Sequence, residues 1–310
     1  MDTTVTPSQS EPRPSLLSRG GYAGVLLAAL LATALLLRMG WAAGSATGSV
    51  VFVTALVLGL LEVWSPHSAA WRLERQSFVV DLTHTLVTAY VVAPAVRATL
   101  AVAFADFGTK LLYGTGTTPW PHHWPLVLQV ALAVVIADFG AYSAHRFMHA
   151  TRIGWRIHSV HHSPQRLNFL ASARSHPFNV ILTFSVENGP LILLGVSPQV
   201  LAFWTVIKAV NGLLQHCNVE LAAGPLSRVM ATPEVHRWHH SVVLDESNRN
   251  FGNTTMLWDQ LFGTYFRPTD RRPGTTVGVS GALIPERYLS HLATPFLLDR
   301  FERDAVAVTR

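Results

Sequence analysis

Residues 124 to 162 read WPLVLQVALAVVIADFGAYSAHRFMHATRIGWRIHSVHH. This stretch decides the fold because it joins a long apolar segment directly to a histidine-rich one. The apolar part, 124–143, has the length of ~20 residues that an α-helix needs to cross the hydrocarbon core of a bilayer. Five histidines occupy the last eighteen positions, although only 13% of the chain is charged. The junction predicts a membrane helix that ends in metal-binding side chains.

The rest of the chain carries more apolar segments of similar kind, and 49% of all residues are apolar, with a mean hydropathy of +0.30. We therefore predict an all-α integral membrane helical bundle with four spans, an apolar hairpin over 178–216 and a cytoplasmic histidine-rich helical cap. The hairpin turns at GVSPQ and is either two full spans or a re-entrant pair. Glu187 and Lys208 lie at similar depth on its arms, and we expect them to pair because intramembrane charges are costly. The apolar segments are 22–37, 50–64, 79–104, 124–143, 178–195 and 199–216.

Arginines predict the orientation of these spans. Five arginines lie in 144–177, whereas 39–49 has no basic residue and 105–123 has only Lys110. Cytoplasmic loops are enriched in Lys and Arg, so the histidines are expected on the cytoplasmic side, most simply of a bacterial inner membrane. The segment 22–37 resembles a signal peptide, but a retained span is favoured because removing it would take away the first crossing.

The expected organisation has four parts: a disordered tail over 1–20, N-terminal spans over 21–123, a catalytic domain over 124–270 and a cytoplasmic tail over 271–310. The isoelectric point near 9.8 is compatible with nucleic-acid binding. Since the arginines flank apolar segments, they fit an anionic membrane surface better, and no nucleic-acid partner is expected. Cys217 is the single cysteine, which excludes an intrachain disulfide.

Three histidine boxes recur on the predicted cytoplasmic side: HRFMH at 145–149, HSVHH at 158–162 and HRWHH at 236–240. Histidines three or four residues apart share one face of a helix. A single such pair is usually a solvated surface pair, but three boxes on one membrane face indicate a metal site. His216, at the end of the hairpin, is a candidate ninth ligand. The candidate ligands are His145, His149, His158, His161, His162, His216, His236, His239 and His240.

Two residues are left open as further ligands. His176 precedes the hairpin and is equally well explained as a helix-entry residue, and Glu220 follows His216 by four positions but is more simply an exposed carboxylate. The remaining histidines lack matching partners and are expected to be interfacial or structural. These are His67, His84, His122, His123 and His291.

Eight or nine histidines exceed the three protein ligands of a catalytic zinc site and suit a two-metal centre. An imidazole-rich shell suits iron among other metals. Two irons beside a membrane can activate dioxygen for attack on an unactivated C–H bond of a lipid. Asp138, Tyr142 and Asp259 are expected to orient the imidazoles from outside the ligand shell. A membrane metal transporter is the first alternative, although its ligands would lie along the spans, and a zinc-dependent membrane hydrolase is the second.

The boxes, together with QHCNV and NFGNTTMLWDQLFGTYF, resemble the fatty acid hydroxylase/sterol desaturase superfamily over roughly 130–266. The resemblance implies a membrane oxygenase with two non-haem iron ions, held by the eight histidines of the three boxes. Some relatives have a second His-x-x-x-His where this chain has His216 and Glu220, so these two positions are less certain ligands.

The resemblance also implies that the enzyme hydroxylates or desaturates a lipid with O2. The substrate would be a fatty acyl chain, a sterol, a carotenoid or an ether lipid, and the sequence does not choose among them. Electrons must come from outside, because the chain has no haem, flavin or iron–sulphur motif. We expect a ferredoxin or a small haem protein to dock on the arginine-rich face, at Arg152 and Arg156.

Overall fold

The computed structural model describes residues 16–72, 74–111 and 118–308, and helices dominate all three ranges. Within them, extended pairing is limited to isolated bridges such as Met230 with Thr255. The helices are α1 (Leu16–Arg38), α2 (Ala43–Trp64), α3 (Arg75–Thr83), α4 (Ala93–Leu111), α5 (Leu126–Ala150), α6 (Arg152–His162), α7 (Pro177–Leu193), α8 (Pro198–His216), α9 (Pro233–His239), α10 (Leu244–Ser247), α11 (Leu257–Leu261) and α12 (Tyr288–Val308).

Four helical stretches of the described chain are long and apolar enough to cross a membrane: Ser18–Arg38, Ala43–Trp64, Arg75–Lys110 and Leu126–Ala150. This confirms the predicted all-α bundle with four spans. The third stretch joins α3 to α4 through a π-helical segment, His84–Val92. At 1.5 Å per residue its 36 residues reach about 54 Å, well beyond a hydrocarbon core of ~30 Å. The third span therefore extends past the bilayer or is strongly tilted.

The predicted hairpin is formed by α7 and α8, and it lies inside the bundle. α7 packs against α4 and α5, while α8 packs against α1, α2 and α5. Each arm begins with a proline at its first position, and the Ser197 hydroxyl caps α8. Glu187 and Lys208 form the predicted ion pair between the two arms, which is confirmed.

Close packing of α5 on α7 depends on Gly140. A Cβ atom at this position would lie 2.0 Å from the carbonyl oxygen of Val186. Only glycine permits this approach. The contact fixes the helix that carries His145 and His149 against the hairpin.

The chain ends differ from the predicted tails. Residues 1–15 lie outside the described residues, and residues 16–20 already belong to α1 rather than to the predicted tail. The predicted C-terminal tail contains α12, which packs against α6. A 21-residue helix was missed there because its sequence alternates apolar pairs with DRFERD and lacks an uninterrupted apolar run.

Candidate metal centre

The corner between α5 and α6 brings the first two histidine boxes together. α5 continues from the apolar segment through His149, as predicted, and the Thr151 side chain accepts a hydrogen bond from the amide of Gly154 at 3.1 Å. A Cβ atom at Gly154 would lie 2.5 Å from the Cα atom of Met148. The cap and the glycine allow α6 to fold back, so that its histidines face those of α5.

The nine candidate ligands fall into two groups. Within each group, one ring nitrogen of every histidine lies within 4.8 Å of those of the others. The structure therefore brings together histidines that are up to 94 positions apart in the chain. Site A is the group His145, His149, His158, His162 and His239. Site B is the group His161, His216, His236 and His240.

The hydrogen bonds of the rings in site B leave nitrogen lone pairs that face one another. His161 Nδ1 donates to the Arg174 carbonyl at 3.2 Å, and His216 Nδ1 donates to the Gly212 carbonyl at 2.8 Å. In a neutral ring the other nitrogen then carries a lone pair. The two Nε2 atoms nevertheless face each other at 3.3 Å. Two lone pairs repel at this distance, and a metal ion between them removes the repulsion.

Site A shows the same pattern. His145 Nδ1 donates to the Phe251 carbonyl and His239 Nδ1 to the Arg249 carbonyl, each at 2.8 Å. The Nε2 atoms of both rings, and that of His158, are buried with no hydrogen-bond partner among the described residues. Such orphaned acceptors are rare in native proteins and call for an explanation such as an ion. Both sites therefore fit a metal ligated through Nε2.

Burial keeps the rings in the neutral form that binds metals. Desolvation lowers the pKa of His161 to about 4. Desolvation also lowers the pKa well below 6.5 for the other box histidines that lie outside the spans, and the neighbouring imidazoles lower it further. These residues are His158, His162, His236, His239 and His240. Since ligation requires unprotonated imidazole, these rings are in the ligand form at neutral pH.

Sites A and B are adjacent. The rings of His162 and His240, one from each site, stack with centroids 4.5 Å apart. His158 and His161 also contact each other, at 5.2 Å between centroids. The two groups of histidines are therefore neighbours and not remote sites.

The loop after α10 supplies three of the acceptors that orient the rings: Asn248 Oδ1, Arg249 O and Phe251 O. Asn250 lies between them with φ of 54° and is almost fully buried. Its side chain donates to the carbonyls of Val235 and Phe266 and accepts from the Phe266 amide. The sequence did not predict Arg249 and Phe251, because a backbone carbonyl leaves no signature in a sequence, nor Asn248 and Asn250, because only the tertiary fold brings their side chains to these positions.

The three predicted orienting residues lie near the centre, but none contacts an imidazole directly. Asp138 accepts from the amides of Thr254 and Thr255. Asp259 accepts from the amides of Phe251 and Gly252, so it acts on His145 only through the Phe251 carbonyl. The Tyr142 hydroxyl contacts Thr264 at 3.1 Å. Their carboxylates and hydroxyl hold the 251–264 loop, and the role of these residues in orienting the imidazoles stays a prediction.

A buried ion pair fixes the acceptor of His161. Arg174 pairs with Asp81 and with Glu286, and both Arg174 and Asp81 are at most 1% exposed. Buried pairs of this kind are costly to break. They hold Arg174, whose carbonyl accepts from His161, between α3 and the segment that precedes α12.

The residues left open lie outside both sites. His176 caps α7 by accepting from the Phe178 amide at 3.1 Å, and its Nε2 donates to the Leu292 carbonyl. Glu220 pairs with His67 instead of lying near His216. His84 and His291, both buried, hydrogen-bond to each other at 2.9 Å. The structural interpretation of His67, His84 and His291 is thereby supported.

A cavity of about 210 Å³ adjoins the centre. We call it the inner cavity, and it is lined by histidines of both sites, including His145, His158, His161, His216 and His236. A second cavity of about 400 Å³, the outer cavity, shares part of its lining and extends between α2, α7 and α8. Apolar residues such as Phe184, Trp204 and Leu213 line it. A lipid chain fits a space of this character.

A helical membrane bundle with two clusters of neutral histidines beside a cavity is typical of one class of proteins, the membrane-bound histidine-rich metalloenzymes. The family model described as fatty acid hydroxylase matches residues 130–264. The chain belongs to the fatty acid hydroxylase/sterol desaturase superfamily. This confirms the resemblance drawn from the boxes.

Curated relatives are similar over different shares of the chain. Ornithine lipid hydroxylase OlsE of Rhizobium tropici is 36% identical over 251 residues, which cover 80% of this chain and 75% of the relative. Alkylglycerol monooxygenase of Danio rerio is 31% identical over 49% of this chain and 33% of its own length. Very-long-chain aldehyde decarbonylase GL1-8 of Oryza sativa subsp. indica is 28% identical over 70% of this chain and 81% of its own length. No solved structure gives a significant match. The chain is an integral membrane oxidoreductase that acts on lipids.

Proposed function

We propose that this protein is a lipid hydroxylase whose sites A and B each hold one iron ion. The observation that carries the proposal is the convergence of unprotonated Nε2 atoms in both sites, at 3.3 Å for His161 and His216. The reaction consumes one C–H bond, one O2, two electrons and two protons, and yields an alcohol and one water. Hydroxylation is favoured over desaturation because two of the relatives are named as a hydroxylase and a monooxygenase.

The nine histidines of sites A and B would hold the metal. When bound there, a pair of irons supplies the activation of dioxygen that attack on an unactivated C–H bond requires. The protein itself fixes the ring orientations through carbonyl acceptors such as Phe251 and Arg174. The substrate carbon then lies in the inner cavity, which is lined by histidines of both sites such as His145 and His236.

The substrate is a polar membrane lipid. One relative is named an ornithine lipid hydroxylase and another an alkylglycerol monooxygenase. Both names describe a substrate in which a hydrocarbon chain is attached to a polar group. The outer cavity takes the hydrocarbon chain and the inner cavity takes the part that reacts. We expect entry from the bilayer because residues of the second and third spans, such as Val51 and the exposed Tyr90, line the outer cavity.

Electrons come from a separate protein, such as a ferredoxin or a small haem protein, that docks near the centre on the cytoplasmic side. The expected docking arginines already have partners within the chain. Arg152 pairs with Asp299 and Glu302, and Arg156 pairs with Asp299. Neutralising these arginines therefore perturbs α12 as well as any docking surface.

Two variants that change opposite charges distinguish donor docking from the anchoring of α12. If donor docking matters, Arg152→Gln raises the KM for the donor whereas Asp299→Asn, which frees a positive charge, does not. If Arg152 only anchors α12, both variants lower activity to the same degree. The measurement is turnover against donor concentration, with iron content determined for each variant.

The function itself is tested with the full-length protein in a bacterial host. We expect two irons per chain in the purified protein, and lipids that gain one oxygen atom in cells that make it. His161→Ala should lose the oxygenated lipid, and His123→Ala, which removes an exposed histidine outside both sites, should retain it. Zinc with a hydrolysed lipid would contradict the proposal, and a lipid that loses two hydrogen atoms would redirect it to desaturation.

A further inference from the structure

Glu187 is an unusual residue for the middle of an apolar hairpin. Its side chain is fully buried, and its Oε2 pairs with Lys208. Its Oε1 has no hydrogen-bond partner among the described residues. A buried carboxylate oxygen without a donor is strongly destabilising. Glu187 lines both the inner and the outer cavity, so a ligand in either cavity can supply the missing donor.

Arg97, on α4, lines the same two cavities. The charge of Glu187 acts on it, but Arg97 forms no ion pair or hydrogen bond within the described chain. Arg97 and Lys208 together carry two positive charges against the single negative charge of Glu187. One positive charge is therefore left without a partner, on the exposed side chain of Arg97 in the third span, where uncompensated charges are rare.

The position of this group is as informative as its charge. The inner and outer cavities share Arg97, Glu187 and Lys208 in their linings. The charged group therefore lies where the histidine-lined cavity meets the apolar one. A ligand that extends from the outer cavity to the centre must pass these three side chains.

We propose that Arg97, Lys208 and Glu187 form a binding subsite for an anionic lipid headgroup that carries a hydrogen-bond donor beside its charge. This rests on the proposed function and names the substrate class of the same centre. The anionic group neutralises the excess positive charge through Arg97, whose guanidinium matches carboxylate and phosphate geometry. The neighbouring N–H or O–H donates to Glu187 Oε1. The hydrocarbon chain lies in the outer cavity.

A purely structural role explains less. An ion pair that only joins the two arms of the hairpin would be electrically neutral and would need neither Arg97 nor an open carboxylate oxygen. The open carboxylate oxygen of Glu187 and the exposed guanidinium of Arg97 both line the space next to the centre. A carboxylate and a phosphate satisfy them equally well, so the experiment includes both.

The test measures lipid binding by the purified full-length, metal-loaded protein in detergent, using native mass spectrometry. The probes share one palmitoyl chain: N-palmitoylglycine has a carboxylate and an amide N–H, palmitoyl lysophosphatidic acid has a phosphate and a hydroxyl, and palmitoyl ethanolamide is uncharged. We expect at least one anionic probe to bind roughly tenfold or more tightly than the uncharged probe, since charge-assisted hydrogen bonds contribute this much. Which anionic probe prevails identifies the headgroup as a carboxylate or a phosphate.

Arg97→Gln should abolish the preference for the anionic probes. Arg38→Gln, which changes an exposed arginine at the end of α1 outside both cavities, should leave it intact. Glu187→Gln retains an acceptor but removes its negative charge, so it should strengthen binding of the phosphate probe even if it lowers stability. Equal binding of charged and uncharged probes, or an unchanged preference in Arg97→Gln, would overturn the subsite.

Binding of the lipid probes is measured without turnover, so the proposed function and the proposed subsite can be contradicted separately. A protein that binds anionic probes selectively but contains no iron and forms no oxygenated lipid contradicts the proposed function. A protein that oxygenates lipids without discriminating between the probes contradicts the subsite alone.

Discussion

At the scale of single residues, orientation of the imidazoles depends on the loop that carries Asn250. This residue adopts a left-handed conformation, which asparagine tolerates better than most residues, and its amide makes three hydrogen bonds to backbone atoms. On either side of it, the carbonyls of Arg249 and Phe251 accept from His239 and His145. Asn250 thus positions two ligands of site A without touching either ring.

Replacing Asn250 should weaken metal binding more than it weakens the fold. We expect Asn250→Ala to lower the iron affinity by about 10–100-fold, the usual effect of losing a group that supports metal ligands. Asn250→Gly keeps the favourable backbone conformation and removes only the side-chain hydrogen bonds, so its loss should be smaller. Iron per chain, measured during titration with a chelator, checks both. Equal iron retention in Asn250→Ala and the wild type would contradict the positioning role.

The metal-free protein should become less stable as the pH falls below neutrality. Burial lowers the pKa of His161 to about 4, whereas the ring of an unfolded chain has a pKa near 6.5. Between these values the unfolded state binds more protons than the folded state, so the free energy of unfolding decreases as pH falls. Above about pH 6.5 the contribution is fully present.

The measurement is the thermal unfolding midpoint of the metal-free protein in detergent, from about pH 7.5 to about pH 5. His161→Gln removes one titrating ring and should reduce the slope of midpoint against pH. Bound iron should be lost over the same range, because protons and metal compete for the imidazole nitrogens. A midpoint that rises on acidification would contradict the assignment of these rings as neutral.

Much of the candidate site was visible in the sequence at this scale, and some of it was not. The three- and four-residue spacing of the boxes predicted that their histidines would share helix faces, because helical periodicity is a local property, and the structure brings all eight together in sites A and B. His216 could be included because it ends an apolar segment on the same side. Carbonyl acceptors such as Arg249 and Arg174 could not be predicted, because every residue has a carbonyl and only the tertiary fold selects one.

At the scale of elements, the apolar segments predicted the existence of the helices better than their ends. α2 begins at Ala43 rather than near residue 50, because AGSATGS is helical although it is only weakly apolar. The π-helical segment His84–Val92 was also missed, since its sequence, HTLVTAYVV, does not differ in kind from an α-helical span. Local hydrophobicity reports which segments enter the membrane and not how their hydrogen bonds are arranged.

The α5–α7 contact should be among the most sensitive helix contacts to substitution. Gly140→Ala places a methyl group against the Val186 carbonyl, so the helices must separate, at a cost of about 1–3 kcal/mol or more. Gly24→Ala is the matched control, because a Cβ atom on Gly24 in α1 meets no atom within 4 Å. We expect Gly140→Ala to lower the thermal unfolding midpoint and the iron content together, while Gly24→Ala changes neither. Wild-type behaviour of Gly140→Ala would contradict the close approach.

At the scale of the whole molecule, the two sites draw histidines from four helices, α5, α6, α8 and α9, and the turn after α9. The sequence predicted that the boxes would meet, because all three follow apolar segments on one predicted side. It did not predict the division into sites A and B, in which His161 and His162 belong to different sites. Neighbouring residues of a helix point ~100° apart, so His161 and His162 on α6 face different groups of histidines. The division of the chain into domains at residues 20, 123 and 270 stays a prediction.

The orientation in the membrane stays a prediction that can be measured directly. The arginine-rich 151–176 connection follows the fourth span and α12 packs on α6, so both are expected on one side, which the positive-inside rule assigns to the cytoplasm. A periplasm-dependent reporter enzyme fused after residue 310 should be inactive, and the same reporter inserted in the connection between α1 and α2 should be active. The reverse pattern would place the histidines, and the electron donor with them, outside the cytoplasm.

α12 connects the last residues of the chain to its metal centre. It packs on α6, the carbonyl of Leu292 accepts from His176, and Glu286 just before it binds Arg174. α12 follows all nine histidines in the chain, so the candidate ligands are synthesised before the helix that packs on α6. A newly made chain therefore passes through a stage in which its histidines are present but α12 does not yet pack on α6.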